Sequence, residues 1–206
     1  MKESDIRFAK LLVLINGFVP LALLMWDQSH HRLGANPQNF LILTTGMMAL
    51  IFLVLTLAVT PLRQLGGWNW LIQLRRMLGL YAFFYACLHF LCFFSLDRGF
   101  NLSSTINEII KRKYLWFGVT ALLLMVPLAI TSTNGMIKRL GGKRWRALHR
   151  LVYVAAIAGV IHYYMQVKAD VRLPLVFASV LAVLLGYRGW NHWQGQKPKT
   201  VAAPKV

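Results

Sequence analysis

The sequence predicts an all-α fold: an integral membrane bundle of six transmembrane helices with both termini on the cytoplasmic side. Three observations lead there. Hydrophobic residues make up 57% of the 206, and mean hydropathy is +0.53, more apolar surface than a soluble domain of this length needs to fill one core. That surface is concentrated in six windows free or nearly free of charge. The 23 Lys and Arg, against 6 Asp and Glu, lie mostly between the windows. The net charge of +17 therefore reads as membrane topology, and nucleic-acid binding is not expected.

Residues 8–26 form the first expected span, with Lys10 near its start and Pro20 as a kink that bilayer helices tolerate. More spans follow it, so it is expected to stay as a helix and not to be cleaved as a leader. The second covers 40–60, the third 77–96, the fourth 114–135 with Pro127 inside it, and the fifth 151–167. At ~1.5 Å per residue most of these reach the ~30 Å of a hydrocarbon core. The sixth, 173–187, is the shortest at 15 residues. Residues 1–193 read as one membrane domain. Residues 194–206, with Lys197, Pro198, Lys199, Pro204 and Lys205, read as a disordered cytoplasmic tail.

Orientation follows from the basic residues on alternate sides of the spans. One side collects Lys2, Arg7 and Lys10, then Arg63, Arg75 and Arg76, then six between Lys138 and Arg150, then Arg188, Lys197, Lys199 and Lys205, sixteen of the 23. The other side has Arg32, Arg98, Lys111, Arg112, Lys113, Lys168 and Arg172. The richer side is expected to be cytoplasmic. Tryptophans such as Trp26, Trp68, Trp116 and Trp190 fall near span ends, where interfacial anchors belong.

Inside the spans, what is missing matters as much as what is present. Glu3, Asp5, Asp27, Asp97, Glu108 and Asp170 all lie in termini, loops or span edges, which argues against an ion-coupled transporter built on buried carboxylates. Cys87 and Cys92 share one window five residues apart, a spacing that suits no common metal motif, and read as packing. Two histidines remain, His89 in the third span and His162 in the fifth. They lie twelve and eleven residues from the inner ends of parallel helices, or ~18 and ~17 Å. Matched depth lets two neutral imidazoles fill both axial positions of a haem iron. A haem-free transporter or scaffold, in which each histidine only bonds to a neighbouring helix, is the competing class. So is a terminal ferric or cupric metalloreductase.

His149, thirteen residues before His162, sits at the inner interface, either as a ligand of a second haem or simply solvated in a basic stretch. Arg75, Arg76 and Arg146 are candidates for haem propionates or a flavin phosphate. His30, His31 and His192 read as exposed. Gly66-Gly67 and Gly141-Gly142 lie in interhelical loops without a preceding strand, so no dinucleotide fingerprint is present.

The segments Arg75-Arg76-Met77-Leu78-Gly79-Leu80, Ala86-Cys87-Leu88-His89, Thr131-Ser132-Thr133-Asn134, Trp145 to Tyr153 and Ile161-His162-Tyr163 resemble the MsrQ (formerly YedZ) family. That family lies within the ferric-reductase-like transmembrane superfamily, with NADPH oxidases and STEAP proteins. The resemblance spans nearly the whole chain. It implies a b-type cytochrome with one or two haems in the bacterial inner membrane. It also implies a periplasmic molybdopterin reductase, MsrP, as electron acceptor for methionine sulfoxide repair. Electrons would come from the quinone pool or from a cytosolic flavin reductase acting with FMN. The chain would be an electron-transfer subunit without catalytic residues of its own. The family's functional histidines fall on His89, His149 and His162. Larger relatives carry a further third-helix histidine fourteen residues before the first; here that position is Arg75.

Overall fold

The computed structural model describes residues 3–195. Among them nine α-helices follow one another: α1 Glu3–Ser29, α2 Pro37–Gly66, α3 Arg75–Cys92, α4 Leu102–Lys111, α5 Lys113–Ile130, α6 Asn134–Leu140, α7 Gly142–Leu148, α8 Leu151–Gln166 and α9 Arg172–Gly195. A 3-10 turn, Asn69–Gln73, precedes α3, and a π-turn, Phe93–Asp97, prolongs it. No strand occurs among the described residues. Of the expected tail, Gln194 and Gly195 belong to α9, and the remaining residues, 196–206, lie outside the described part.

Local chemistry fixes the helix ends. The Asn36 side chain accepts the Asn39 amide to open α2, Pro37 takes a first-turn position that needs no N–H, and Gly67 closes the helix at φ 69°. Asn101 caps α4 through the Ser104 amide, and Thr133 caps α6 through the Met136 amide.

Five helices are long and apolar enough to cross a membrane: α1, α2, α3 with its π-turn, α5 and α9. With the outward-facing side chains of Ile15, Leu123 and Val183 more than half exposed, this is a multi-pass membrane protein. The fifth expected span, α8, has 16 residues and begins at Leu151 as the sequence predicts, after a two-residue turn at His149 and Arg150 that separates it from α7. The sixth is longer than its charge-free window. Arg188, which closes that window in the sequence, is accommodated within α9 by the Leu57 and Leu184 carbonyls, with its guanidinium 5.6 Å from the Tyr153 ring. Membrane interiors accept a cation when backbone carbonyls meet it in this way.

The bonds between helices separate the two ends of the bundle. At one end Lys10 donates to Gln73, Asn191 to Gln64 and Arg76 to Asn134. The start of α1 and the end of α9 thus share the end where basic residues predominate. Ion pairs of Asp97, Glu108 and Asp170 with Arg98, Arg112 and Arg172 lie at the other end.

Two antiparallel pairs, α2 with α3 and α5 with α8, pack most closely. They enclose a core in which Leu57, Ala82, Tyr85, Ala155 and Ala156 are fully buried. α1 is attached from outside. Tyr81 Oη donates to the Leu14 carbonyl at 2.6 Å and Tyr85 Oη to that of Gly17 at 2.8 Å; a Cβ on Gly17 would run into the Tyr81 ring. Tyr85→Phe is expected to cost about 1 kcal/mol, the usual net worth of such a bond. The loss should be read as a lower unfolding midpoint in detergent, with α1 the first segment opened to protease.

Candidate functional site

The two close-packed helix pairs build the site in the same way. On α3, His89 Nδ1 donates to the Ile42 carbonyl of α2 at 2.8 Å. On α8, His162 Nδ1 donates to the Tyr114 carbonyl of α5, also at 2.8 Å. In each case the acceptor is followed four residues later by a glycine, on the same helix face. An added Cβ at Gly46 would stand 2.9 Å from His89 Nδ1, and one at Gly118 would stand 2.8 Å from His162 Nδ1. Neither glycine has a positive φ, so close approach of the ring is what requires it.

These bonds settle the tautomers. With Nδ1 donating to a carbonyl, the lone pair of each neutral imidazole is on Nε2. The ring centroids lie 6.0 Å apart with the planes at 78°. Two metal–nitrogen bonds of about 2 Å each, with the two ring radii added, come to roughly 6 Å. The separation therefore fits one metal centre held between the rings. A cavity of about 410 Å³ opens around them, within the ~300–1,000 Å³ of pockets that hold cofactor-sized molecules. Its inner floor is Leu50, Leu53, Met125 and Ala155, all buried. Among the described residues no group of three or more His, Cys, Asp or Glu could hold a metal ion. A cofactor bringing its own equatorial ligands, as a haem does, is the kind that two histidines suffice to hold.

The third histidine stands apart. His149 lies at the bend between α7 and α8, stacked on Trp145 at 3.9 Å, with Nε2 3.1 Å from Thr131 Oγ1. The Thr131 hydroxyl donates to the Pro127 carbonyl, which leaves its oxygen to accept from His149, and the Trp145 indole donates to the Thr131 carbonyl. Burial, reinforced by the charges of Arg75 and Arg76, pushes the His149 pKa below the ordinary histidine value. Arg75, the residue at the position of the missing third-helix histidine, is thus a near neighbour of His149. Arg146 lies exposed on α7. None of His149, Arg75, Arg76 or Arg146 is on the cavity wall.

The sequence places His89 and His162 at one depth and His149, Arg75, Arg76 and Arg146 at the inner interface; the structure brings the first two together and keeps the other four off the cavity wall. Sequence reasoning missed Gly46, Gly118 and the charged mouth of the cavity. The available signal for the glycines was their position inside an apolar helix with no turn to make.

Comparison with known proteins identifies the relatives of this chain. Residues 45–160 match the family model described as "Ferric reductase like transmembrane component"; the match includes α3 and His89 and ends two residues before His162. A protein of Herminiimonas arsenicoxydans, "Protein-methionine-sulfoxide reductase heme-binding subunit MsrQ", is 47% identical over 97% of this chain and 92% of its own. The proteins of that name from Ralstonia nicotianae and Rhodospirillum rubrum are 46% and 48% identical, over 100% and 91% of this chain and 96% and 90% of their own.

Proposed function

Because this chain belongs to the MsrQ family of the ferric-reductase-like transmembrane proteins, we propose that it is the b-type cytochrome subunit of a methionine sulfoxide repair system in the bacterial inner membrane. Both termini are then cytoplasmic by the positive-inside rule. Electrons enter on the cytoplasmic side, from the quinone pool or from a cytosolic flavin reductase with FMN. They leave to a periplasmic molybdopterin reductase, MsrP, which acts on oxidised proteins. The chain carries electrons and has no catalytic residue of its own.

The observation that supports this best is the facing pair, His89 and His162, 6.0 Å apart and each hung by Nδ1 from a carbonyl of the neighbouring helix. When bound there, a haem supplies a one-electron carrier within the membrane. His89 and His162 would both hold it through Nε2, and a group held by two histidines would serve electron transfer in preference to oxygen binding. The apolar floor of Leu50, Leu53, Met125 and Ala155 keeps water from the inner side of the site. At the cytoplasmic end, Arg75 and Arg76 beside His149 offer cationic donors for a flavin phosphate. A second haem at that level would take His149 as one ligand and find Arg75 where another histidine would be needed.

Protein purified from haem-replete cells is expected to show a Soret band and reduced low-spin b-type peaks. Pyridine haemochromogen analysis then counts one haem per chain for the outer pair alone, or two if His149 holds another. A colourless, folded protein would return the chain to the haem-free transporters and scaffolds. Reoxidation of the reduced protein by ferric chelates as fast as by the molybdoenzyme would make it a terminal metalloreductase.

A further inference from the structure

The cavity between His89 and His162 has two unlike ends. The inner floor is closed and apolar, while the outer mouth carries Asp97, Arg98, Glu108 and Arg112, with Asn36 and Asn39 across from them. Arg98 donates from Nε to Asp97 at 2.9 Å, a second guanidinium nitrogen lies 2.7 Å from the same carboxylate, and the third lies 3.3 Å from Glu108. Arg112 reaches Glu108 through Nε. Glu108, on α4, therefore holds both guanidiniums at the opening. Each has five N–H donors, more than these contacts consume.

The π-turn is what brings Arg98 there. The Arg98 amide bonds back to the Phe93 carbonyl, and the guanidinium lies 5.7 Å from the Phe93 ring, itself part of the cavity wall. An uninterrupted α-helix would carry residue 98 to a different face.

We infer that Arg98 and Arg112 anchor the carboxylates of the cofactor held between the two histidines. The inference rests on the haem reading above. A b-type haem is an apolar macrocycle with two propionate carboxylates on one edge. Against the floor those carboxylates would lose their water and meet no donor, which is strongly unfavourable. At the mouth they meet forked, preoriented donors and remain near solvent. The inner basic residues are no substitute: Arg75, Arg76 and Arg146 are off the cavity wall, and Arg76 is bonded to Asn134.

The test alters the cofactor as well as the protein. Full-length chain, purified haem-free from haem-depleted cells, is titrated with iron protoporphyrin IX and with its dimethyl ester, which lacks the carboxylate charges. The wild type should bind the free acid at least ten-fold more tightly. Arg98→Gln with Arg112→Gln should bind both forms alike, with the low-spin spectrum retained, and Arg75→Gln with Arg76→Gln should keep the wild-type preference. Should the first double variant fail to fold, Arg112→Lys, which keeps the charge opposite Glu108 but loses the fork, should cut the preference at least three-fold. The proposal is overturned by a wild type that does not discriminate, by full preference in the Arg98 and Arg112 variants, or by its loss in the Arg75 and Arg76 variant. A wild type that binds neither porphyrin sinks the haem reading itself.

Discussion

Alanine at His89 or at His162 is expected to remove nearly all of the low-spin haem absorbance, whereas alanine at His149 should leave the outer site intact. The reasoning is one of scale. Disturbing a group that merely orients a metal-bound histidine typically costs 10–100-fold in metal affinity, so deleting the ligand itself costs more. The surviving imidazole keeps its carbonyl bond, to Ile42 or to Tyr114, but would hold a haem alone, and any residual haem should be high-spin. At His149 the substitution removes a bond to Thr131 and a stack on Trp145, worth about 1 kcal/mol each. Haemochromogen content per chain measures all three. If a second haem sits at His149, that variant loses half of the total. Loss at His149 equal to that at His89 would mean that the facing pair is not the principal site.

The second large effect requires no change to a ligand. Gly46→Ala and Gly118→Ala should each weaken haem binding by about 10–100-fold, the range for losing the partner that orients a metal-bound imidazole. A Cβ at either position meets the ring within 2.8–3.0 Å, and the ring cannot withdraw without giving up its carbonyl. Gly79→Ala is the control, since its Cβ would be in ordinary contact with Thr56 at 3.7 Å. Wild-type affinity in all three alanine variants would show that the rings have freedom the packing does not suggest.

The helices and the histidine pair were legible because each depends on one-dimensional information. Apolar windows set the spans, and counting residues from the inner ends of the third and fifth spans placed His89 and His162 at one depth. Departures came where a tertiary partner overrides the local pattern. Arg188 ends an apolar window on paper, yet α9 continues past it because Leu57 and Leu184 offer carbonyls. α4 is only 10 residues long and hides in what reads as a loop. Arg98 and Arg112 looked like interfacial charges, since nothing in the spacing announces the π-turn that aims Arg98 at the cavity. Gly46 and Gly118 resemble any other small residue of a membrane helix until a ring is found against them.

Hanging both histidines from main-chain oxygens has a consequence for how the protein can change over time. The acceptors at 42 and 114 are carbonyls, which every amino acid supplies, so the two bonds do not depend on side-chain identity there; Ile42 and Tyr114 act on the site separately, as parts of the cavity wall, with the Tyr114 ring 5.6 Å from that of His162. The constraint moves one turn along to positions 46 and 118, whose residues donate and accept nothing to the rings. The site's orientation is therefore encoded as permitted emptiness, and random mutagenesis should find positions 46 and 118 intolerant of any side chain although they bond to nothing.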